Sequence, residues 1–349
     1  MTSQTIEAVS TRLPAVSIVM AAQDNALELE QHLPVIMEQD YPAGFEVIVV
    51  VSKGDDGTDD LLEGMMRKYP NLYTTFVPSS SRYMSRKKLA VTLGVKAAKN
   101  EWILLTEPEC VPASSDWLKL MVSHCDDPVD MVIGYSNYSD EASDYKRYER
   151  AMMQRRLLKE AEKTAYRTEG QNLLFRKKMF LDGRGYDGNA QYVRGEYDFL
   201  VNKYAIRGNT STEQSPDAWL IEDAPTKKKW VNRHLYYMCT RKSLKRSLFH
   251  RLPFNIIQTL KHAWYVVLLA ALVVTGVMQQ WIFFGVAALA LMITLVVHGI
   301  ICKKLTDSYS LDISPVKAIG MDLSYIWRAL YYKIKYLKAD KYDFTSHKL

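Results

Sequence analysis

Two glutamates on either side of a proline, Glu107 and Glu109, are the best candidates in this chain for holding a metal ion. They directly follow residues 102–106, WILLT, an apolar run that is typical of a buried strand. Carboxylate oxygens are the ligands that Mg²⁺ and Mn²⁺ prefer, and such an ion could in turn hold a diphosphate. The alternative interpretation is a solvated acidic turn that binds no ligand.

A second pair of carboxylates, Glu196 and Asp198, lies at the end of the segment 187–198, DGNAQYVRGEYD. The residues that follow, FLVNKYAIRG, are typical of a helix. A helix dipole stabilises a carboxylate in the first turn, and a carboxylate held there could remove the proton of an attacking hydroxyl. The alternative is that these residues only cap the helix.

Residues 227–234, KKKWVNRH, place four cationic side chains beside a tryptophan and a histidine. Lysine and arginine bind phosphate groups, and the indole offers a flat surface on which a sugar can stack. The segment could therefore hold a phosphorylated sugar compound. Alternatively, its cations meet anionic lipid in front of a membrane-spanning segment, and the two roles are compatible.

The elements that must position these residues follow from the hydrophobic pattern. Residues 16–20 and 46–51 are short, continuously apolar and β-branched, as in strands that are buried on both faces. Further strands are predicted near 73–77 and over 102–106, with helices over 27–38, 59–68 and about 87–99. Alternating strands and helices indicate a parallel α/β sheet, which binds ligands at the carboxyl ends of its strands.

Two apolar runs, residues 263–278 and 281–302, are separated by Gln279 and Gln280. The second run is long enough to cross the roughly 30 Å hydrocarbon core, and the first reaches that length only if it begins near Ile256. We predict a membrane hairpin, with a buried helical hairpin in a soluble protein as the alternative. Lysines and arginines flank the hairpin on both sides and none lies in its loop, so both long ends are predicted to face the cytoplasm.

After the hairpin, apolar residues recur every three or four positions over about 315–338, with lysines and an arginine among them. This pattern is typical of an amphipathic helix on the inner leaflet, or of a helix that packs against the soluble domain. The predicted organisation is a flexible tail (1–14), a soluble domain (15–240), a basic juxtamembrane segment (241–262), the hairpin (263–302) and a cytoplasmic tail (303–349).

Composition excludes several classes of protein. The chain has 349 residues, and its 45 Lys and Arg against 39 Asp and Glu give a net charge of +6, too mild for a dedicated nucleic-acid binder. Hydrophobic residues make up 48%, which excludes disorder over most of the chain. The four cysteines stand alone, so neither a disulfide framework nor a structural zinc site is expected. The polar N-terminus predicts no cleaved signal peptide.

Taken together, these segments resemble glycosyltransferase family 2, in its membrane-anchored bacterial branch. The resemblance covers about residues 15–240 and rests on ordered pieces: SIVMAAQDN, EQDYP, FEVIVV, GDDGTDD, KKLAVTLGVKAAKNEWILLTEPEC, EGQNLLFRKKMF and GEYDFLVNKYA. It implies the GT-A fold, a mostly parallel α/β sheet with flanking helices, followed here by the two-helix transmembrane hairpin. It also implies an inverting transferase that moves a sugar from a nucleotide-diphosphate donor to an acceptor.

The resemblance assigns roles to particular residues. Glu107 and Glu109 would hold Mg²⁺ or Mn²⁺, with His234 as a further ligand, and Asp198 or Glu196 would be the catalytic base. The residues expected to contact the donor nucleotide are Ala21, Ala22, Gln23, Ser52, Lys88 and Arg233. The residues expected to contact the acceptor or the sugar are Trp230 and Asn172.

Three positions depart from the pattern that is usual in the family. Val51 and Ser52 stand where the family usually has an aspartate that binds the nucleobase. The acidic motif is Glu-Pro-Glu rather than Asp-x-Asp. In the usual Gly-Glu-Asp motif the aspartate is replaced by Tyr197, and Asp198 comes one position later. A tyrosine with the ordinary pKa near 10 is a poor general base at neutral pH.

Two functions are therefore compatible with the sequence. The first is a hexosyltransferase-like enzyme at the cytoplasmic face of the inner membrane, acting on a lipid-linked or envelope polysaccharide acceptor. The second is a catalytically impaired scaffold or binding protein of the same fold, which pairs with an active transferase in a polysaccharide assembly complex. No nucleic acid is expected as a partner. We predict the enzyme.

Overall fold

The computed structural model describes residues 13–345 except 53, 55 and 79–83. Its strands are β1 (Val16–Ala22), β2 (Phe45–Val51), β3 (Leu72–Phe76), β4 (Trp102–Thr106), β5 (Cys110–Pro112), β6 (Met131–Gly134), β7 (Ser136–Tyr138), β8 (Leu173–Arg176), β9 (Thr210–Glu213) and β10 (Leu220–Glu222). Its α-helices are α1 (Ala26–Met37), α2 (Thr58–Lys68), α3 (Arg86–Ala97), α4 (Trp117–Val122), α5 (Asp144–Thr164), α6 (Lys177–Asp182), α7 (Glu196–Tyr204), α8 (Lys227–Thr240), α9 (Ser247–Val277), α10 (Trp281–Ser308) and α11 (Pro315–Lys338).

The main sheet has the strand order β3-β2-β1-β4-β8-β6-β9. The first four of these strands are parallel to one another, β8 is antiparallel to both neighbours, and β9 is parallel to β6. The predicted α/β class is confirmed, and the four predicted parallel strands lie within two residues of their predicted bounds. A smaller sheet has the order β5-β10-β7, in which β10 pairs antiparallel with β5 and parallel with β7.

Helices cover both faces of the parallel strands because side chains along a strand alternate between the two faces. On β1, Val19 packs in the same core cluster as Val91 and Val95 of α3. Its neighbour Ile18 instead packs with Leu33 of α1. With both faces covered, β1 and β2 are buried almost throughout, which explains their unbroken apolar sequence.

Four chain segments bring polar residues to the carboxyl end of this sheet. The turn between β4 and β5 carries the two glutamates of residues 107–109, and β10 ends in Glu222. Helix α7 begins after Gly195, whose φ of +96° favours glycine. Helix α8 begins after Thr226, whose hydroxyl accepts a hydrogen bond from the Lys229 amide.

Helices α9 and α10 are long and apolar enough to cross a membrane. In the most apolar 18-residue stretch of each helix only 11% of the residues are buried, so most of the apolar side chains face away from the protein. This exposure is compatible with a membrane anchor, because water-exposed apolar surface of that extent is unfavourable. The structure differs from the prediction in one respect: α9 begins at Ser247, so much of the predicted juxtamembrane segment is helical.

Helix α11 packs against the rest of the protein along one side. Its Lys317 pairs with Asp144, and its Arg328 Nε lies 3.2 Å from Glu149 Oε2, so that both contacts reach α5. The opposite side exposes apolar residues, including Trp327 and Leu337. One face of α11 packs on the α/β domain, as one of the two predictions has it. The other face exposes apolar residues, as the alternative prediction of an amphipathic helix on the membrane requires.

Helix α3 packs closely on the sheet at Gly94. A Cβ atom there would lie 3.1 Å from Val50 Cγ2 and closer still to Val19 Cγ1. We expect Gly94→Ala to lower the free energy of unfolding by about 1–3 kcal/mol through overpacking, measured by thermal unfolding of the purified chain. The matched control is Gly64→Ala in α2, where no atom lies within 4 Å and a rise of about 0.5–1 kcal/mol is expected. Equal stability of the two variants would contradict the close approach.

Candidate active site

A cavity of about 760 Å³ lies at the carboxyl ends of β1, β2 and β4. Most residues predicted for the site line it, although they come from distant parts of the chain. Those residues are Ala21, Ala22, Gln23, Ser52, Glu107, Glu109, Glu196, Asp198, Trp230, Arg233 and His234. The parallel topology explains this convergence, because the loops after parallel strands meet at one edge of the sheet.

Two predicted residues lie elsewhere. Lys88, predicted to contact the donor, is fully buried, and its ammonium donates to the carbonyl oxygens of Asn189 (2.7 Å) and Tyr192 (2.5 Å). Burial lowers its pKa to about 8, although the Glu196 carboxylate opposes the shift. Asn172, predicted to contact the acceptor, is also fully buried, where its amide bonds Trp117 and two backbone carbonyls. Both side chains therefore hold the fold together rather than face the cavity.

Asp198 lies in the first turn of α7 with its carboxylate facing the cavity. Its Oδ2 is 3.3 Å from Arg167 Nη1, and the same guanidinium also pairs with Glu169 at 2.5 Å. Burial raises the pKa of Asp198 to about 6, with Glu169 adding to the rise and Arg167 opposing it. A carboxylate with this pKa is largely ionised at neutral pH and is suited to accept a proton.

The two residues before Asp198 differ from it in their surroundings. Glu196 is buried, and its Oε2 accepts a hydrogen bond from the Gly195 amide at 3.1 Å. Its Oε1 has no hydrogen-bond partner among the described residues. Tyr197, which stands where the family usually has its base, is also buried, and burial raises its pKa well above the ordinary value. A phenol in this environment cannot act as a base at neutral pH.

Each glutamate of the Glu-Pro-Glu turn forms an ion pair with a different lysine. Lys87 Nζ is 2.5 Å from Glu107 Oε1, and Lys229 Nζ is 2.8 Å from Glu109 Oε1. Burial alone would raise the pKa of Glu107, but the Lys87 ammonium outweighs it and lowers the pKa to about 2. Burial and the charge of Glu107 together raise the pKa of Glu109. Two negative charges at this turn are thus balanced by two ammonium groups.

This donor set does not fit the predicted divalent cation. The described residues contain no group of three His, Cys, Asp or Glu side chains that could hold a metal ion. His234, the predicted third ligand, has Nε2 at 2.9 Å from Glu149 Oε1 and Nδ1 at 2.9 Å from the Trp230 carbonyl oxygen. A metal ligand needs a free ring nitrogen, and here both nitrogens have oxygen partners.

Trp230 and Arg233, on the same face of α8, also have partners within the protein. The Trp230 indole is buried and donates to the Tyr332 hydroxyl at 2.7 Å, so only part of its ring borders the cavity. Arg233 Nη1 lies 2.5 Å from the Tyr138 hydroxyl and 3.4 Å from Glu222 Oε2. The neighbouring Arg194 lines the cavity as well, and although burial opposes the rise, the charges of Glu196 and Glu107 raise the pKa of its guanidinium.

Sequence reasoning missed the ion pairs that surround the predicted carboxylates. Arg167 and Glu169 belong to the loop RTEGQ before β8, whose three charged or amide side chains were the available signal. The sequence motif predicts a donor contact for Lys88, whereas the structure places its neighbour Lys87 at the cavity. The two neighbours point in different directions because successive helix residues are turned by about 100°.

The family described as "Glycosyltransferase like family 2" matches residues 14–199. Among solved structures, the chain is similar to mannosyltransferase PcManGT from Pyrobaculum calidifontis in complex with GDP-Man and Mn²⁺, with a TM-score of 0.51, 18% identity, and coverage of 90% of this chain and 88% of that one. It also matches TarS 1-349 of S. aureus, with a TM-score of 0.46, 15% identity, and coverage of 69% and 72%. A third match is GalNAc-T7 with UDP, GalNAc and Mn²⁺, with a TM-score of 0.47, 12% identity, and coverage of 66% and 51%. No curated protein sequence matches the chain.

The raised pKa of Asp198 predicts a pH-dependent effect on stability. Its folded pKa of about 6 lies above the ordinary 3.8, so the native state holds the proton more tightly and loses stability as the pH rises from about 4 to 6. Asp198→Asn cannot ionise. Relative to the wild type, its free energy of unfolding should therefore increase across this range by at most about 3 kcal/mol.

Denaturant unfolding at pH 4.5 and pH 7.5 measures this difference. Asp182→Asn, which removes an exposed carboxylate from α6, is the control for a change in surface charge. A stability difference between Asp198→Asn and the wild type that is the same at both pH values would contradict the raised pKa.

Proposed function

This chain belongs to glycosyltransferase-like family 2, and from that premise we propose that it is an inverting glycosyltransferase whose catalytic base is Asp198. Its GT-A fold places the loops after β1, β2 and β4 around a single cavity, where a nucleotide-sugar donor would bind. The single observation that carries the proposal is the position of Asp198. Its carboxylate lies in the first turn of a helix and faces the cavity, and burial raises its pKa to about 6.

In the proposed reaction an acceptor hydroxyl lies against Asp198. The carboxylate takes the hydroxyl proton while the oxygen attacks the anomeric carbon of the donor sugar. A bond forms between that carbon and the acceptor oxygen, and the bond from the carbon to the diphosphate breaks on the opposite face. The nucleoside diphosphate leaves with the electron pair, and the configuration of the sugar is inverted.

The neighbours of Asp198 suit this role. The Arg167 guanidinium, 3.3 Å from the carboxylate, orients it and limits how far burial raises its pKa. Glu196 would be the alternative base through its Oε1, which is unpartnered in the described part of the chain, but the residue is only 4% exposed, whereas the side chain of Asp198 is 13% exposed. The Mg²⁺ or Mn²⁺ ion that the sequence predicts takes no part in the proposed step, because lysines occupy both carboxylates that would hold it.

We also propose that α9 and α10 anchor the catalytic domain at the cytoplasmic face of the inner membrane. Their outward-facing apolar side chains and the cations at both outer ends of the hairpin support this orientation. An anchored domain suits an acceptor that is lipid-linked or part of an envelope polysaccharide.

Nucleotide release tests the reaction. The purified full-length chain is incubated with a panel of UDP- and GDP-sugars and bacterial lipid extract, and free UDP or GDP is measured. We expect Asp198→Asn to lower release by about 100-fold or more, because a general base contributes about that factor. Binding of the released nucleotide should change less than about threefold, since Asp198 faces the acceptor.

Asp182→Asn is the control and should retain activity. If Glu196→Gln abolishes release and Asp198→Asn does not, the base is Glu196. If the wild type binds nucleotide yet releases none from any donor, the catalytically impaired scaffold is favoured over the enzyme.

Cysteine labelling tests the orientation of the hairpin. Gln280→Cys lies in the turn between α9 and α10, and Asp312→Cys lies between α10 and α11. We expect a membrane-impermeant maleimide to label Gln280→Cys in intact spheroplasts and Asp312→Cys only after lysis, with the unsubstituted chain as background. The reverse pattern would place the catalytic domain outside the cytoplasm.

A further inference from the structure

We infer that the cavity binds the diphosphate of its donor through Lys87 and Lys229, without a divalent cation. The inference rests on the proposed function, since it concerns the leaving group of the same reaction. Both lysines line the cavity, and both reach the turn after β4, where a metal ion would be expected.

The two lysines hold fixed positions there because each is tied to one carboxylate. Lys87 is the second residue of α3 and lies against Glu107, and Lys229 is the third residue of α8 and lies against Glu109. Lys229 also lies 4.0 Å from Glu222 of β10. The glutamates thus act as positioning residues for two ammonium groups.

A divalent ion would have to displace both lysines. Glu107 and Glu109 would then face it, whereas Glu222 is paired with Arg150 and Arg233. The third predicted ligand, His234, has both ring nitrogens engaged. The ion would also bring two positive charges next to two displaced ammonium groups, with Arg194 and Arg233 lining the same cavity. Repulsion among these cations opposes metal binding.

The same arrangement suits a diphosphate. An ammonium group has three N–H donors, so each lysine that bonds one glutamate retains donors for phosphate oxygens. Arg86 in the first turn of α3 and Lys228 in the first turn of α8 line the cavity, and the positive ends of both helix dipoles add to the attraction for an anion. The leaving group would therefore meet two lysines and two helix N-termini in place of a metal ion.

Calorimetric titration of the full-length chain with UDP and with GDP, in EDTA and in Mn²⁺, tests the inference. We expect at least one nucleotide to bind in EDTA, with an affinity that Mn²⁺ changes less than about threefold. Lys87→Gln and Lys229→Gln should each weaken binding in EDTA by about tenfold or more, because each removes a charge-assisted contact to phosphate.

Matched controls come from the same two helices. Lys96→Gln in α3 and Lys227→Gln in α8 remove exposed lysines that do not line the cavity, and both should bind the nucleotide as the wild type does. Thermal unfolding of all four variants shows that they are folded.

The outcomes separate the two proposals. Binding that appears only with Mn²⁺, or that survives both lysine substitutions unchanged, overturns the metal-free site and leaves the transferase intact. Absence of binding by either nucleotide under any condition overturns both.

Discussion

Carboxylates packed around one cavity must have cations beside them if they are to stay ionised, and this constraint organises the centre of the molecule. Glu107 and Glu109 face lysines, whereas Glu169 and Asp198 share one guanidinium. Glu222 lies between Arg150 at 3.2 Å and Arg233 at 3.4 Å. Burying an unpaired charge costs roughly several kcal/mol. The cationic partners of these carboxylates are therefore as necessary to the fold as the apolar core.

These ion pairs also join elements that are far apart in the sequence. The pair between Lys229 and Glu109 connects the start of α8 to the turn after β4, and Arg167 connects the loop before β8 to α7. Glu149 of α5 lies against both His234 of α8 and Arg328 of α11. The walls of the cavity are therefore held in place by charge as well as by hydrophobic packing.

The parallel half of the sheet could be predicted because its strands are continuously apolar and its helices follow in regular alternation. The short strands β7, β9 and β10 could not, because they contain polar residues and pair with segments distant in the sequence. Within the site, the motif predicts that Asp198 lies near the start of a helix, as the structure shows, but it does not distinguish Lys88 from its neighbour Lys87. Residue type and approximate position can be read from a motif, but the direction of a side chain depends on how its helix packs.

Helix α11 connects the wall of the cavity to the two apolar helices α9 and α10. Its Tyr332 stacks on His234 with ring centroids 4.0 Å apart and accepts a hydrogen bond from Trp230, both at the cavity wall. Asp322, the eighth residue of the same helix, pairs with Lys261 of α9 and His298 of α10. With the hairpin in a bilayer, helix α11 would fix the distance between the cavity and the lipid surface, because it contacts both the cavity wall and the hairpin. An acceptor would then be selected by the length of its tether as well as by its chemistry.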